Sequence, residues 1–153
     1  MVARATYIAP TLNEWLQKFN FKIESKVRYS ETDMSGHVNN TSYFVYFEQA
    51  RVEYLDSLGF FNSTVNAVTA DLSCHYHNEA FFPDTLQMGV RVAKIGNKSF
   101  DLEYYILSSH DEKLIATGQG TLVVIDLETK QSTTIPKDIR DAIIAKEGLE
   151  LIN

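Results

Sequence analysis

Apolar positions recur at changing intervals along the chain, and the changes divide it into elements. In "APTLNEWLQKF", Leu12, Trp15, Leu16 and Phe19 recur at helical spacing behind Pro10, which suits a first turn, so a short helix is expected. "FKIESKVRY" alternates Phe21, Ile23, Val27 and Tyr29 with Lys22, Glu24, Lys26 and Arg28. That is a half-buried strand with Ser25 as the weak position on its inner face. From Tyr43 to Phe47, and again at Ala50, the next segment is apolar almost all round. Its later half sets Arg51, Glu53 and Asp56 against Tyr54, Leu55 and Leu58. A helix without a polar face is a buried helix, and Gly59 is the expected left-handed stop.

Period-two alternation then returns in "NAVTADLSCHYHNEA", "DTLQMGVRVAKIG", "NKSFDLEYYILSS" and "KLIATGQGTLVVID". Three short connections, "FFPD", "IGNK" and "SHDE", read as hairpin loops. In the last of these strands Ala116, Gly118 and Gly120 share a face, which lets a bulky neighbour approach closely. "IPKDIRDAIIAKEG" closes the chain as a helix with Pro136 in its first turn. The order predicts an α+β layer: one long buried helix against about five mostly antiparallel strands. A single domain over residues 1–153 with short N- and C-terminal helices accounts for it. The outer sheet face carries Thr, Ser, His and Gln, and such a face often meets a partner. A homo-oligomer is expected, a homodimer or a dimer of dimers.

Composition narrows the function classes. The 153 residues, 44% apolar and 22% charged, are those of an ordinary globular domain. No apolar run is long enough to span a bilayer, and "MVARATYIAPTLNEW" lacks a secretory apolar stretch. A single cysteine, Cys74, fits a reducing compartment, so a cytoplasmic location is expected. The net charge of -6 argues against nucleic acid as the main partner, since a duplex-binding surface is usually basic.

The densest polar cluster, "TDMSGHVNN", lies directly before the buried helix. Backbone N–H groups at a helix start are unsatisfied and carry the positive end of its dipole. They can hold an anion or polarise a carbonyl oxygen. Gly36 allows a tight turn, so Asp33 can fold back toward the helix start at Asn40. A carboxylate beside such donors can attack an acyl carbon or activate a water. His37, between them, can orient a water, a carboxylate or a thiol leaving group. The simpler alternative is that Asp33 is a turn or capping residue and that Asn39 or Asn40 caps the helix through its side chain.

"RYSETDMSGHVNNTSYFVYFEQARVEYLDSLG" resembles the signature of hotdog-fold thioesterases of the 4-hydroxybenzoyl-CoA thioesterase type. It is also similar to the acyl-ACP thioesterases, whose helix is preceded by an Asp-x-x-x-His-Val-Asn-Asn run. The matching positions are Asp33, Gly36, Val38, Asn40, Tyr43, Glu48, Ala50 and Arg51, and "CHYHNEAFFPDTL" resembles the family's later strand and turn. The likeness runs from Phe21 to about Ile125. It implies a hotdog fold, an antiparallel sheet wrapped around a long central helix. It also implies hydrolysis of an acyl thioester of coenzyme A or acyl carrier protein; no cofactor and no metal are expected. Asp33 would be nucleophile or general base, the Asn40 N–H would polarise the thioester carbonyl, and His37 matches the acyl-ACP branch. Gly36, Val38, Asn39, Tyr43 and Tyr46 would line the substrate path. Three positions depart from the pattern: Glu31 replaces an Asp, Ser35 stands where plant acyl-ACP enzymes have Asn, and Pro83 replaces a turn Gly.

Arg91, Lys94 and Lys98 can meet coenzyme A phosphates or decorate a solvated strand edge. His75 and His77 share a strand face, but two ligands are too few for zinc. Cys74 points inward as a small core residue, and Glu48 can pair with Arg51 three residues on. A non-catalytic acyl-thioester sensor on the same fold is the alternative function. Neither terminal segment supplies the helix-turn-helix that a DNA-binding sensor needs. A hotdog dehydratase would carry a His-Phe-Pro-Gly or Asp-x-Asn-Pro-x-His run, and neither occurs.

Overall fold

The computed structural model describes residues 5–148. Helix α1 (Leu12–Leu16) is followed by strand β1 (Lys22–Lys26), the long helix α2 (Ser42–Ser57), strands β2 (Val65–Tyr76), β3 (Thr85–Ile95), β4 (Ser99–Ser108) and β5 (Leu114–Asp126), and helix α3 (Lys137–Glu147). The strands form one sheet in the order β1-β3-β4-β5-β2. Every pairing is antiparallel. This is the expected α+β arrangement. No helix among the described residues is long and apolar enough to cross a membrane.

The inner sheet face meets α2. Tyr43, Tyr46, Phe47, Ala50, Tyr54 and Leu55 are buried against it. Phe47 stacks on Tyr104 with ring centroids 4.7 Å apart. The small-residue face of β5 serves the close approach expected of it: a Cβ on Gly118 would lie 2.7 Å from the Phe47 ring. Gly59 takes φ +90° just beyond the end of α2, as its position in the sequence predicts.

Two expectations need correction. Tyr29 is not on the inner face of β1: that strand ends at Lys26, and Tyr29 sits in a short 3-10 turn, 76% exposed. Nor is the first half of α2 buried all round, since Val45 is 55% exposed. One curved sheet covers only one side of a helix, so the apolar far side stays open in the single chain. The outer sheet face is partly covered by the chain itself. Trp15 is fully buried there and its indole N–H donates to Glu103 Oε1 at 2.7 Å, while Phe19 packs edge-on against Tyr105.

Because β1 has only five residues, its pairing with β3 stops at Lys22–Gly89, and the Val92 N–H lies beyond it. The Glu147 carboxylate of α3 fills that place. It accepts from Val92 N at 2.5 Å and from the Tyr54 hydroxyl at 2.9 Å. Desolvation raises the Glu147 carboxyl above its ordinary value of 4.5 despite these donors. The folded chain therefore holds this proton to higher pH than the unfolded chain does. The group's contribution to stability is largest in acid and declines as pH rises from 4.5 through the raised value. Glu147→Gln keeps an acceptor oxygen but cannot ionise. Its melting temperature, read by scanning fluorimetry at pH 5 and pH 8, is expected to gain on wild type by a few degrees between the two.

Candidate active site

The loop before α2 is built by its own backbone. Thr32 and Val38 form an antiparallel bridge, and Asp33 N–H donates to His37 O at 2.7 Å. Between them the chain reverses through Gly36 at φ +81°, a conformation that glycine adopts without steric cost. The Asp33 side chain closes the turn. Its Oδ1 accepts from Ser35 N at 2.8 Å and from His37 N at 3.1 Å. These two bonds fix the carboxylate's orientation. Its second oxygen has no partner among the described residues. The loop is anchored outward by Val38 N–H to Ala80 O and by the bridge from His37 to Phe81. It is anchored inward by Ser42 Oγ, which donates to Glu31 O at 2.9 Å.

A cavity of about 390 Å³ opens at this point, lined by Asp33, His37, Val38, Asn39, Asn40, Tyr43, Tyr76, His77, Asn78 and Glu79. Six residues singled out from the sequence therefore meet in one place. The start of α2 forms part of the wall. Asn39 Oδ1 accepts from Thr41 N at 3.4 Å, a long contact that gives the expected side-chain cap little strength. The Asn40 carbonyl accepts from the Tyr76 hydroxyl at 2.8 Å. The Asn40 N–H has no acceptor among the described residues, and it stands at the positive end of a 16-residue helix. Tyr43 packs edge-on against Tyr76, and burial pushes its phenol up to about 12. It is a neutral hydrogen-bonding group at neutral pH.

The remaining expected residues are placed elsewhere. Gly36 shapes the turn without lining the cavity. Tyr46 faces a neighbouring pocket, and its hydroxyl donates to Glu31 Oε1 at 3.1 Å. Glu31 thus acts as a structural acceptor, taking the Arg28 N–H as well. Arg91 lies on the outer sheet face, paired with Glu103 at 2.5 Å and stacked beneath Phe19. That half-buried pair holds it away from the cavity. Lys98, exposed in the β3–β4 turn, is bonded through its carbonyl to Val124, the register partner of Ala67. Nine residue steps along the strand lead from Ala67 to Tyr76, so Lys98 stands roughly 30 Å from the cavity in its own chain. Burial pushes the Cys74 thiol up to about 11, the behaviour of an inert core thiol. Arg51 lies 3.9 Å from Glu48 and also donates to the Tyr104 hydroxyl at 3.2 Å.

Sequence reasoning passed over Tyr76, Asn78 and Glu79. Glu79 Oε1 lies 3.2 Å from His37 Nδ1, so a second carboxylate faces the histidine beside Asp33. The signal was the end of the β2 alternation: past Tyr76 the strand stops, and the polar residues after it turn to the loop across the edge.

The chain is similar to known proteins over most of its length. The model of the thioesterase-like superfamily matches residues 27–143. The uncharacterized protein YsmA of Bacillus subtilis is 29% identical over 90% of this chain and 95% of its own. The long-chain acyl-CoA thioesterase FadM of Escherichia coli is 25% identical over 77% of this chain and 92% of its own. A crystal structure of a Thermus thermophilus thioesterase with coenzyme A and Zn superposes with a TM-score of 0.76 at 28% identity, covering 88% of this chain and 99% of that one.

Proposed function

From the premise that this chain belongs to the thioesterase-like superfamily and carries its hotdog fold, we propose that it hydrolyses acyl thioesters, with coenzyme A the favoured carrier and acyl carrier protein the alternative. One observation carries the reading: Asp33, whose carboxylate is oriented by two turn bonds, and Asn40, whose helix-start N–H has no acceptor among the described residues, line the same cavity.

The thioester carbonyl oxygen sits on the Asn40 N–H, where negative charge developing on it is met by a fixed donor and the α2 dipole. Asp33 acts through its unengaged oxygen. As general base it takes a proton from water while the oxygen of that water adds to the acyl carbon. As nucleophile it adds directly, and water then cleaves the acyl-enzyme. In either route the carbon–sulfur bond breaks and the thiolate leaves with the bonding pair. His37, oriented by Glu79, supplies the proton that thiolate takes up. The acyl group runs past Tyr43 along α2.

A second copy of the chain completes the assembly in this reading. Strand β2 is twelve residues long and ends the sheet with one edge unpaired among the described residues. The exposed Val45 and Val52 of α2 and Val68 of β2 need cover. The test is a panel of short-, medium-, long-chain and aryl acyl-CoA esters, following free thiol release with Asp33→Ala alongside. Asp33-dependent release is expected, and it ranks the acyl groups. Thermal stabilisation by acyl-CoA without release would make the chain a binding protein instead.

A further inference from the structure

The N-terminal segment, which lies outside the 27–143 span of the family match, reaches the cavity through hydrogen bonds. Tyr7 lies on the outer sheet face, against Trp15 and His75. Its hydroxyl is 2.8 Å from Thr117 Oγ1 and 2.8 Å from His75 Nδ1. Thr117 Oγ1 is in turn 2.9 Å from His77 Nε2. His77 lines the substrate cavity, and its other ring nitrogen, Nδ1, has no partner among the described residues. Four side chains thus form one unbranched line from His75 to the cavity.

We propose that Tyr7 and Thr117 are positioning residues that fix which nitrogen of His77 carries its proton, and so present a His77 Nδ1–H donor to the bound thioester.

Proton counting restricts the line to two arrangements. Thr117 is fully buried, so its single O–H must be donated within the line. If it donates to His77 Nε2, the Tyr7 O–H must serve Thr117 and His75 Nδ1–H must serve Tyr7. If it donates to Tyr7, every bond reverses and His77 Nδ1 becomes a bare acceptor. Burial pushes the Tyr7 phenol up to about 12, so its proton is present. Desolvation, with His75 beside it, lowers His77 below 6.5, so the ring is neutral and carries one N–H. The cavity decides between the two. It holds two carboxylates, Asp33 and Glu79, whose field favours an N–H directed inward over a lone pair. The anchoring of Trp15 on Glu103 keeps the segment, and Tyr7 with it, on the sheet.

The inference rests on the thioesterase reading for its consequence but not for its first readout. Long-range proton–nitrogen correlation spectra of the 15N-labelled chain at pH 7.5 report each histidine tautomer without substrate. His77 is expected on Nδ1–H in the wild type, and to shift toward Nε2–H in Tyr7→Phe and Thr117→Val. Thr117→Ser, which keeps the hydroxyl, is expected to restore it. With an acyl-CoA from the panel, Tyr7→Phe and Thr117→Val should each lose about tenfold in kcat/KM, the size of one lost hydrogen bond at the site. The double variant should lose no more than Thr117→Val alone, because both act through one atom. Wild-type His77 on Nε2–H, or an unchanged tautomer in both variants, would overturn the proposal, and so would a shifted tautomer with unchanged turnover. The expected tautomers in a chain that cleaves no thioester would uphold the positioning and remove the thioesterase reading alone.

Discussion

Asp33→Asn is expected to lower thioester hydrolysis by about 10²–10⁴-fold, the range associated with a positioned acid–base group, with a melting temperature close to wild type. The structural half follows from which oxygen does what. Asp33 Oδ1 accepts both turn bonds, from Ser35 N and His37 N, and the asparagine carbonyl can accept the same two. The loop, the Gly36 turn and the Thr32–Val38 bridge should therefore survive. The second oxygen becomes an amide nitrogen. It can neither take a proton from water nor add to a carbonyl, so the base and nucleophile routes fail together. Asp33→Ala differs in a useful way: it also deletes both turn bonds and should loosen the loop. Thiol release under saturating and limiting acyl-CoA, with thermal stabilisation by free coenzyme A measured alongside, separates the two effects. Asp33→Asn should retain the stabilisation. Turnover like wild type in that variant would leave Asp33 as a turn residue and return the site to the simpler alternative raised by its sequence.

That alternative stands because a turn-closing aspartate and a catalytic aspartate have the same local signature. Here Asp33 closes its turn with one oxygen and leaves the other without a partner among the described residues, a division that no residue spacing encodes. What spacing did encode was periodicity. The four long strands, α2 with its Gly59 stop, and the small face of β5 all follow from intervals of two and about 3.6 residues. The failures share a cause: each depended on contacts between segments distant in sequence. Arg91 read as a free cation because Glu103 and Phe19, its partners, come from another strand and from the segment after α1. The apolar ring of α2 read as fully buried because a sequence does not say how many sides of a helix one sheet covers. Glu79 went unread because its relation to His37 crosses a strand edge.

The largest stability effect should come from Phe47 over Gly118, where the small-residue face of β5 meets the bulky neighbour it was expected to admit. Phe47 is fully buried and stacked on Tyr104, and removing a ring from a close-packed core leaves a cavity. Phe47→Ala should cost about 3–5 kcal/mol, roughly 6–20 °C in melting temperature for a chain of this length. Gly118→Val approaches the same contact from the other side and should be worse. Its Cβ would lie 2.7 Å from the Phe47 ring and 2.6 Å from the Ser73 carbonyl oxygen. The ring is a side chain and can shift. The carbonyl is backbone of β2, held opposite β5 by the ladder that pairs Cys74 with Gly118. Relieving that contact means prying β2 from β5, which also moves Tyr76 and the cavity wall it forms. The two clashes can be told apart. In a Phe47→Leu background, Gly118→Ala should recover only part of its loss, because the smaller side chain frees the ring side and leaves the Ser73 carbonyl in place. Chemical denaturation of the four chains measures this directly. Full recovery would mean that Gly118 is needed only for the ring, and that β2 can yield to a methyl group without disturbing the site.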